Sequence, residues 1–226
     1  MELELTGKNV LITGGSKGIG LAVAKGFAAE GCNLHLTSRT AEDLQAAKGI
    51  IEQAHDVKVQ IHPMDLAQPG AAENLRQAAG EVDILINNAG AIPGGDVLSV
   101  DEGRWREAWD LKVFGYINMT RLYLDAMTTR GDGIIINVTG TAGENPDPNY
   151  VAGSAGNASL MAFTRAIGST SIDSGVRVLA VNPGPVETDR ITALLKTWAE
   201  AEFGDRERWR ELTKKWPMGR AAKAEE

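Results

Sequence analysis

The sequence has little of what marks several protein classes. Cys32 is its one cysteine among 226 residues, so no disulfide can form within the chain, which fits a reducing compartment such as the cytoplasm. No apolar run approaches the ~20 residues that a membrane-spanning helix needs. The N-terminal Met1-Glu2-Leu3-Glu4 lacks the basic and apolar segments of a secretion signal. We therefore do not expect a disulfide-rich, membrane-spanning or secreted protein.

Positive charge and histidine are also scarce. Lysine and arginine number 23 against 30 aspartates and glutamates, a net charge of −7. An acidic chain lacks the basic surface that binds nucleic acid or an anionic membrane. His35, His55 and His62 have no metal-ligand spacing with one another or with Cys32. We expect no nucleic-acid partner, no membrane partner and no metal.

Glycine is the residue in excess, with 26 in the chain against an ordinary share of ~7%. The glycines follow no fixed period, which excludes collagen, and they recur where apolar runs end. We find no internal repeat and no linker rich in proline or serine. The sequence therefore predicts many tight connections within a single domain, residues 1–226.

Short apolar runs alternate with longer segments of helical period, which is typical of parallel βα units. The predicted strands are Asn9–Thr13, Asn33–Thr37, Lys58–His62, Ile84–Asn87, Ile134–Val138 and Arg177–Val181. The predicted helices are Ile19–Glu30, Ala41–Ala54, Ala71–Ala79, Arg104–Thr129, Ser154–Asp173 and Ile191–Phe203. Strands apolar on both faces lie in a sheet covered by helices on both sides. The fold class is therefore α/β, a Rossmann-like doubly wound parallel sheet in a three-layer α/β/α sandwich.

A glycine-rich turn follows the first strand. It reads Thr13-Gly14-Gly15-Ser16-Lys17-Gly18-Ile19-Gly20 and a helix comes next. Glycines allow a sharp turn and a close approach to a pyrophosphate, and the helix N-terminus offers unpaired N–H donors. The alternative is a plain tight connection, but the position after the first strand favours a dinucleotide site.

With this turn the chain resembles the short-chain dehydrogenase/reductase family, whose pattern is Thr-Gly-x-x-x-Gly-x-Gly. Three further motifs carry the resemblance over residues 6–190: Met64-Asp65-Leu66, Asn87-Asn88-Ala89-Gly90, and Asn182-Pro183-Gly184-Pro185-Val186-Glu187-Thr188. The resemblance implies that Asp65 holds the adenine ring and that the last motif lies beside the nicotinamide. It also implies hydride transfer between a nicotinamide and a carbonyl or alcohol carbon.

The end of the second strand points to NADP(H). It reads Leu36-Thr37-Ser38-Arg39, without the acid that holds the ribose hydroxyls in NAD sites. Arg39 and Lys17 would complement a 2′-phosphate; the alternative is that both are solvated surface charges. The predicted cofactor-binding residues are Thr13, Gly14, Ser16, Lys17, Gly18, Ile19, Gly20, Ser38, Arg39, Asp65, Leu66, Asn88, Ala89, Gly90, Pro183, Gly184, Val186 and Thr188.

The catalytic identities that the family resemblance implies are missing. Gly140 stands at the position of the family's serine, Gly153 at its tyrosine, Asn157 at its lysine and Lys112 at its asparagine. A frame shifted to Tyr150 has Ser154, not lysine, four residues on, and a three-residue shift on a helix would turn Tyr150 away. Thr139 and Thr141 flank Gly140, and strand alternation would aim them elsewhere.

One pair of replacements conserves charge. A cation lost at Asn157 and gained at Lys112 suggests that the Lys112 ammonium reaches the nicotinamide ribose and Asn157. A partly desolvated lysine has a lowered pKa and can act as acid or base. We therefore predict Lys112 and Asn157 as the catalytic residues of a non-standard site; the alternative is that Lys112 is an incidental interface charge.

The expected activity is that of an oxidoreductase acting on a small-molecule substrate, and the alternative is a catalytically inactive cofactor-binding sensor or partner subunit. The resemblance also implies a homodimer or homotetramer built on the helices that begin near Arg104 and Ser154.

The segment after Arg190 contains Trp198, Trp209 and Trp216 at roughly helical spacing. We expect these side chains to form an amphipathic lid or interface, or simply to pack in the core. By the resemblance, the chain stops before the family's final strand. Either the sequence is truncated, or this form lacks that strand, which would expose a sheet edge.

Overall fold

The structure is a computed structural model that describes residues 3–226, so Met1 and Glu2 of the predicted domain and N-terminal segment lie outside the described residues. Six strands form one sheet in the order β3-β2-β1-β4-β5-β6, and every neighbouring pair is parallel. The strands are β1 (Asn9–Thr13), β2 (Asn33–Ser38), β3 (Val59–Pro63), β4 (Ile84–Asn87), β5 (Gly133–Val138) and β6 (Val176–Val181). The order reverses between β1 and β4, which is where doubly wound folds bind their ligands.

Helices cover both faces of this sheet. They are α1 (Gly18–Ala29), α2 (Ala41–Ala54), α3 (Ala71–Ala79), α4 (Glu102–Trp109), α5 (Gly115–Arg130), α6 (Val151–Ser171), α7 (Asp189–Phe203) and the short α8 (Arg210–Thr213). Alternate residues of β1 show the two layers. Val10 and Ile12 pack with residues of α1 and α2, whereas Leu11 packs with residues of α3 and α5. The predicted three-layer α/β fold is confirmed.

Two predicted helices differ from the observed ones by more than a shift of one or two residues at an end. The sequence predicts a single helix over Arg104–Thr129. The observed segment is helical throughout, but a π-helical turn over Asp110–Phe114 divides it into α4 and α5. Such turns widen a helix locally and often lie at functional sites. The last long helix before β6 begins at Val151, three residues before the predicted Ser154, because the loop ahead of it ends at Tyr150.

The C-terminal segment returns to the sheet's carboxyl edge. The Ala222 carbonyl accepts a hydrogen bond from the Glu187 N–H at 2.7 Å, and the Ala222 N–H donates to the Pro185 carbonyl at 2.9 Å. These bonds fix the loop between β6 and α7. Strand β6 is a sheet edge in residues 3–226, and its Leu179 and Val181 are about half exposed.

None of the helices in residues 3–226 has both the length and the apolar character needed to cross a lipid bilayer. Within the same range, no group of three or more His, Cys, Asp or Glu side chains is arranged to hold a metal ion.

Candidate functional site

The carboxyl ends of β1 and β4 are locked together by Thr13 and Asn88. The Thr13 hydroxyl accepts hydrogen bonds from the Asn88 N–H at 2.9 Å and the Ala89 N–H at 3.0 Å. In return, the Asn88 amide Nδ2 donates to the carbonyls of Thr13 at 3.0 Å and Gly14 at 3.2 Å. This reciprocal set aligns the glycine-rich turn with the segment that follows β4.

The turn itself requires glycine at two positions. A Cβ on Gly20 would lie 2.6 Å from Asn88 Nδ2 and still closer to the Gly14 carbonyl, so no side chain fits there. Gly14 has a φ of +67°, a conformation that other residues rarely adopt. Helix α1 begins beyond the turn, and its N-cap residue Lys17 makes no side-chain capping bond. The first N–H groups of this helix are therefore available to an anion.

A cavity of about 620 Å³ opens along this edge of the sheet. It is lined by most of the predicted cofactor-binding residues, namely Gly14, Ser16, Lys17, Gly18, Ile19, Ser38, Arg39, Leu66, Asn88, Ala89, Gly90, Pro183, Gly184 and Thr188. The same cavity reaches Lys112, Gly140 and Asn157. The structure therefore joins the glycine-rich turn and the predicted catalytic positions in one continuous space.

Four predicted residues do not line the cavity. Thr13 and Gly20 lie beneath the turn. Thr13 makes the hydrogen bonds to the Asn88 segment, and Gly20 packs against the Gly14 carbonyl. The Asp65 carboxylate accepts a hydrogen bond from the Ala67 N–H at 3.1 Å, within its own turn. Val186 bridges to the C-terminal segment. All four support the walls of the cavity, and the direct contact with adenine expected for Asp65 stays a prediction.

The end of β2 combines a cation with an unused hydroxyl. Arg39 is exposed at the cavity, and the Ser38 hydroxyl is buried without a hydrogen-bond partner among the described residues. Lys17 lies opposite, 3.5 Å from the Asp43 carboxylate, and both side chains of that pair are exposed. An exposed pair contributes little stability and yields readily to a stronger partner. The end of β2, with Ser38, Arg39 and the nearby Lys17, can therefore accept a phosphate.

Lys112 lies in the π-helical turn and points its amine at the end of β5. Its Nζ donates to the carbonyls of Thr139 at 3.0 Å and Val138 at 3.3 Å. The expected contact with Asn157 is not among the hydrogen bonds of Lys112, whose acceptors are these two carbonyls. Burial, and next the positive charge of Arg190, lower the pKa of Lys112 from 10.5 to about 7. Lys112 is therefore poised to exchange a proton near neutral pH.

Asn157 fills the space beside Gly140. A Cβ on Gly140 would lie 2.9 Å from Asn157 Nδ2, so this amide borders the space that a side chain at position 140 would enter. Asn157 Oδ1 is buried and has no hydrogen-bond partner among the described residues. Nearby, the Thr139 hydroxyl is engaged by Asn182 and the Val181 carbonyl, whereas Thr141 lines the cavity. Asn157 is left with a free acceptor in the cavity wall.

The expectation that Tyr150 turns away from the site is wrong. Its ring lines the cavity and lies over Gly153, where an added Cβ would be 2.6 Å from Tyr150 Cε2 and closer still to Cζ and Cε1. The helical argument failed because Tyr150 precedes α6 and has a non-helical backbone, with φ −141° and ψ 42°. The absence of a side chain at Gly153 leaves room for the ring.

Sequence reasoning missed Arg190 and gave Trp198 no definite role. Both line the cavity, and Arg190 Nη2 donates to the Tyr150 hydroxyl at 3.0 Å and the Ile92 carbonyl at 2.6 Å. Trp198 Nε1 approaches the Asn149 carbonyl at 3.4 Å, which ties α7 to the loop before α6. The sequence signal that could have found them is Thr188. It caps the N-terminus of α7 and so fixes where this helix, which carries Arg190 and Trp198, starts relative to the cavity.

The lowered pKa of Lys112 predicts a pH-dependent stability. Unfolded lysine holds its proton up to about pH 10.5, whereas the folded protein releases it near pH 7. Between these values the unfolded state binds more protons, so the free energy of unfolding rises with pH, by up to ~1.4 kcal/mol per pH unit. Urea titrations of wild type should show this rise relative to Lys112→Met. Exposed Lys58 gives the control Lys58→Met, which should follow wild type; parallel curves for wild type and Lys112→Met would contradict the assignment.

Comparisons with known proteins agree with this architecture. The short chain dehydrogenase family matches residues 8–198. The oxidoreductase UcpA of Salmonella typhimurium is 33% identical over 82% of this chain and 72% of its own length. The solved L-sorbose reductase of Gluconobacter frateurii, complexed with NADPH and L-sorbose, superposes with a TM-score of 0.87 at 29% identity, covering 100% of this chain and 88% of its own.

A further neighbour is a variant of actinorhodin polyketide ketoreductase with NADPH, at 26% identity and a TM-score of 0.88, covering 97% of this chain and 86% of its own. The predicted preference for NADP(H) is supported by these NADPH-containing neighbours. The family match extends from before the glycine-rich turn to Trp198, and so includes every wall of the cavity. The chain belongs to the short-chain dehydrogenase family of oxidoreductases.

Proposed function

We propose that this protein is an NADP(H)-dependent oxidoreductase that transfers hydride between the nicotinamide and a carbonyl or alcohol carbon of a small molecule, through a non-standard site. The observation that carries the proposal is the single cavity that runs from the glycine-rich turn to Lys112 and Asn157. Its volume of about 620 Å³ falls in the range of cofactor and ligand sites.

The residues of the cavity fit the proposed cofactor. Gly20 keeps the turn close to β1, and the start of α1 presents unpaired N–H groups to a diphosphate. The unpartnered Ser38 hydroxyl and the Arg39 guanidinium can hold a 2′-phosphate, and Lys17 can leave Asp43 to join them. No acid stands at the end of β2 to select the free ribose hydroxyls of NAD.

At the reacting end, Lys112 and Asn157 supply donors and an acceptor. When bound, the cofactor supplies or accepts the hydride. An ammonium has three donors, and the carbonyls of Val138 and Thr139 engage two of those on Lys112. One donor is left for a ribose hydroxyl or a substrate oxygen. Asn157 Oδ1 is free to accept from a hydroxyl of the cofactor or substrate, which offsets the cost of burying it.

We also propose a homodimer or homotetramer that works in the cytoplasm. The half-exposed Phe114 lies at the end of the π-helical turn, within the segment expected at the interface. An exposed large apolar side chain at this place favours a protein contact. Sedimentation of the purified protein tests the oligomer, and a purely monomeric species would contradict it.

The activity is tested with NADPH and a panel of bulky carbonyl compounds that includes ketoses and polyketide-like ketones. We expect loss of the reduced nicotinamide's absorbance with at least one compound, and calorimetric binding of NADPH. Binding without turnover of any compound would favour the non-catalytic alternative. Failure to bind any dinucleotide would contradict both functions.

Glycine at position 20 should be essential for cofactor binding. Gly20→Ala should raise the Kd for NADPH at least ~10-fold, because its Cβ would push the turn away from Asn88. The matched control is Gly26→Ala in the same helix, where nothing lies within 4 Å of the added Cβ. Calorimetry should give wild-type affinity for Gly26→Ala; equal affinities for both variants would contradict the role of the close approach.

Arg39 should determine the choice between the two cofactors. Arg39→Ala should raise the Kd for NADPH about 10–100-fold, which is the loss of a charged hydrogen bond. Its Kd for NADH should change by less than about twofold, since NADH has no 2′-phosphate. Exposed Arg177 on β6 provides the control Arg177→Ala, with affinities like wild type. Equal losses for both cofactors would contradict phosphate recognition by Arg39.

A further inference from the structure

Tyr150 and Gly153 compete for one volume at the reacting end of the cavity. Any side chain at position 153 would overlap the Tyr150 ring, since even a Cβ there would lie 2.6 Å or less from three ring carbons. Position 153 is where the family resemblance expects the catalytic tyrosine. The chain therefore retains a phenol ring in the space that a residue at 153 would enter, although the phenol comes from a residue three positions earlier.

The backbone around Tyr150 is fixed by several hydrogen bonds. The Tyr150 N–H donates to the Asp147 carbonyl at 3.0 Å, and its own carbonyl accepts from the Ser154 N–H at 2.8 Å. On either side of it, Asn149 and Val151 pair with Gly95 through bonds of 2.7 Å and 3.3 Å. The ring thus projects from a fixed point between α6 and the loop after β4.

The hydrogen-bond arrangement leaves the phenol proton available. Arg190 Nη2 donates to Tyr150 Oη at 3.0 Å, and a guanidinium can only donate. The Tyr150 oxygen is therefore the acceptor in this bond, and its own O–H has no acceptor among the described residues. Both Tyr150 and Arg190 line the cavity that also contains Lys112. A phenolate formed there would be stabilised by the Arg190 charge.

We propose that the Tyr150 hydroxyl is the proton donor to the substrate oxygen during carbonyl reduction, with Arg190 as its positioning residue. The inference rests on the proposed function. When the carbonyl carbon receives the hydride that a bound NADPH would supply, the C=O π pair moves onto oxygen, the Tyr150 O–H bond breaks and a new O–H bond forms on the substrate. The products are the alcohol, NADP⁺ and a Tyr150 phenolate, which a solvent proton restores.

The direct test compares two Tyr→Phe variants under saturating NADPH. Tyr150→Phe should lower kcat by ~10²–10⁴-fold, the usual contribution of a general acid, and leave the Kd for NADPH within about twofold. Tyr123→Phe also removes one hydroxyl, from a buried tyrosine bonded to the Gly80 carbonyl, and should keep wild-type kcat. A Tyr150→Phe protein with wild-type kcat would overturn the inference. The hydrogen bond between Arg190 and Tyr150 would then have only a structural role.

A second variant displaces the ring without altering Tyr150. Gly153→Ala places a Cβ inside the ring's position, so Tyr150 must move. We expect this variant to lose kcat about as far as Tyr150→Phe does, and the double variant to lose little more than either single variant, since all three lack the same donor. Additive losses in the double variant would contradict a shared cause.

Chemical modification gives a readout that does not depend on turnover. Of the three tyrosines, Tyr116 and Tyr123 are each 1% exposed and Tyr150 is partly exposed. Tetranitromethane should therefore nitrate Tyr150 first, as located by peptide mass spectrometry, and saturating NADP⁺ should slow that reaction. If calorimetry shows NADP⁺ bound and the nitration rate is unchanged, Tyr150 does not face the cofactor. That result would sink the inference and leave the proposed function standing.

Discussion

The reciprocal hydrogen bonds between Thr13 and the Asn88–Ala89 segment are the interaction on which the rest of the site depends. They join the two central strands where the strand order reverses, so the glycine-rich turn and the segment after β4 move as one unit. The lack of a side chain at Gly20 lets α1 pack against Gly14 and Asn88, which belong to the same hydrogen-bonded unit. Because the strands are parallel, the loops that leave the same edge of the sheet build much of the remaining cavity wall. The π-helical turn, α6 and α7 supply the rest.

At the reacting end of the cavity, polar side chains occupy the space beside glycine residues. A Cβ on Gly90 would lie 2.9 Å from Lys112 Cδ, and one on Gly140 would lie 2.9 Å from Asn157 Nδ2. Gly153 is related to the Tyr150 ring in the same way. At each of these three places, the lack of one side chain makes room for a different polar side chain. In the proposed mechanism, the Tyr150 phenol and the Lys112 amine take over the parts of the family's acid and cation.

The sequence predicts the fold well because its signals are local. The bounds of β1 and β4 agree with prediction to the residue, since apolar β-branched runs ended by Thr13-Gly14 and Asn88 leave little choice. The cavity also follows from sequence, because motifs at carboxyl ends of parallel strands must meet. Tyr150 and Arg190 could not be predicted in this way. Their contact spans 40 positions and depends on a non-helical backbone at 150, which no periodicity describes.

The central claim is that one cavity holds the dinucleotide and that its reacting end carries Lys112 and the Tyr150 hydroxyl. A crystal structure of the NADP⁺ complex tests it most directly. The account predicts the diphosphate at the start of α1, the 2′-phosphate at Arg39, and the nicotinamide beside both Lys112 Nζ and Tyr150 Oη. A nicotinamide bound elsewhere, or a Tyr150 ring swung out from Gly153 in that complex, would contradict it.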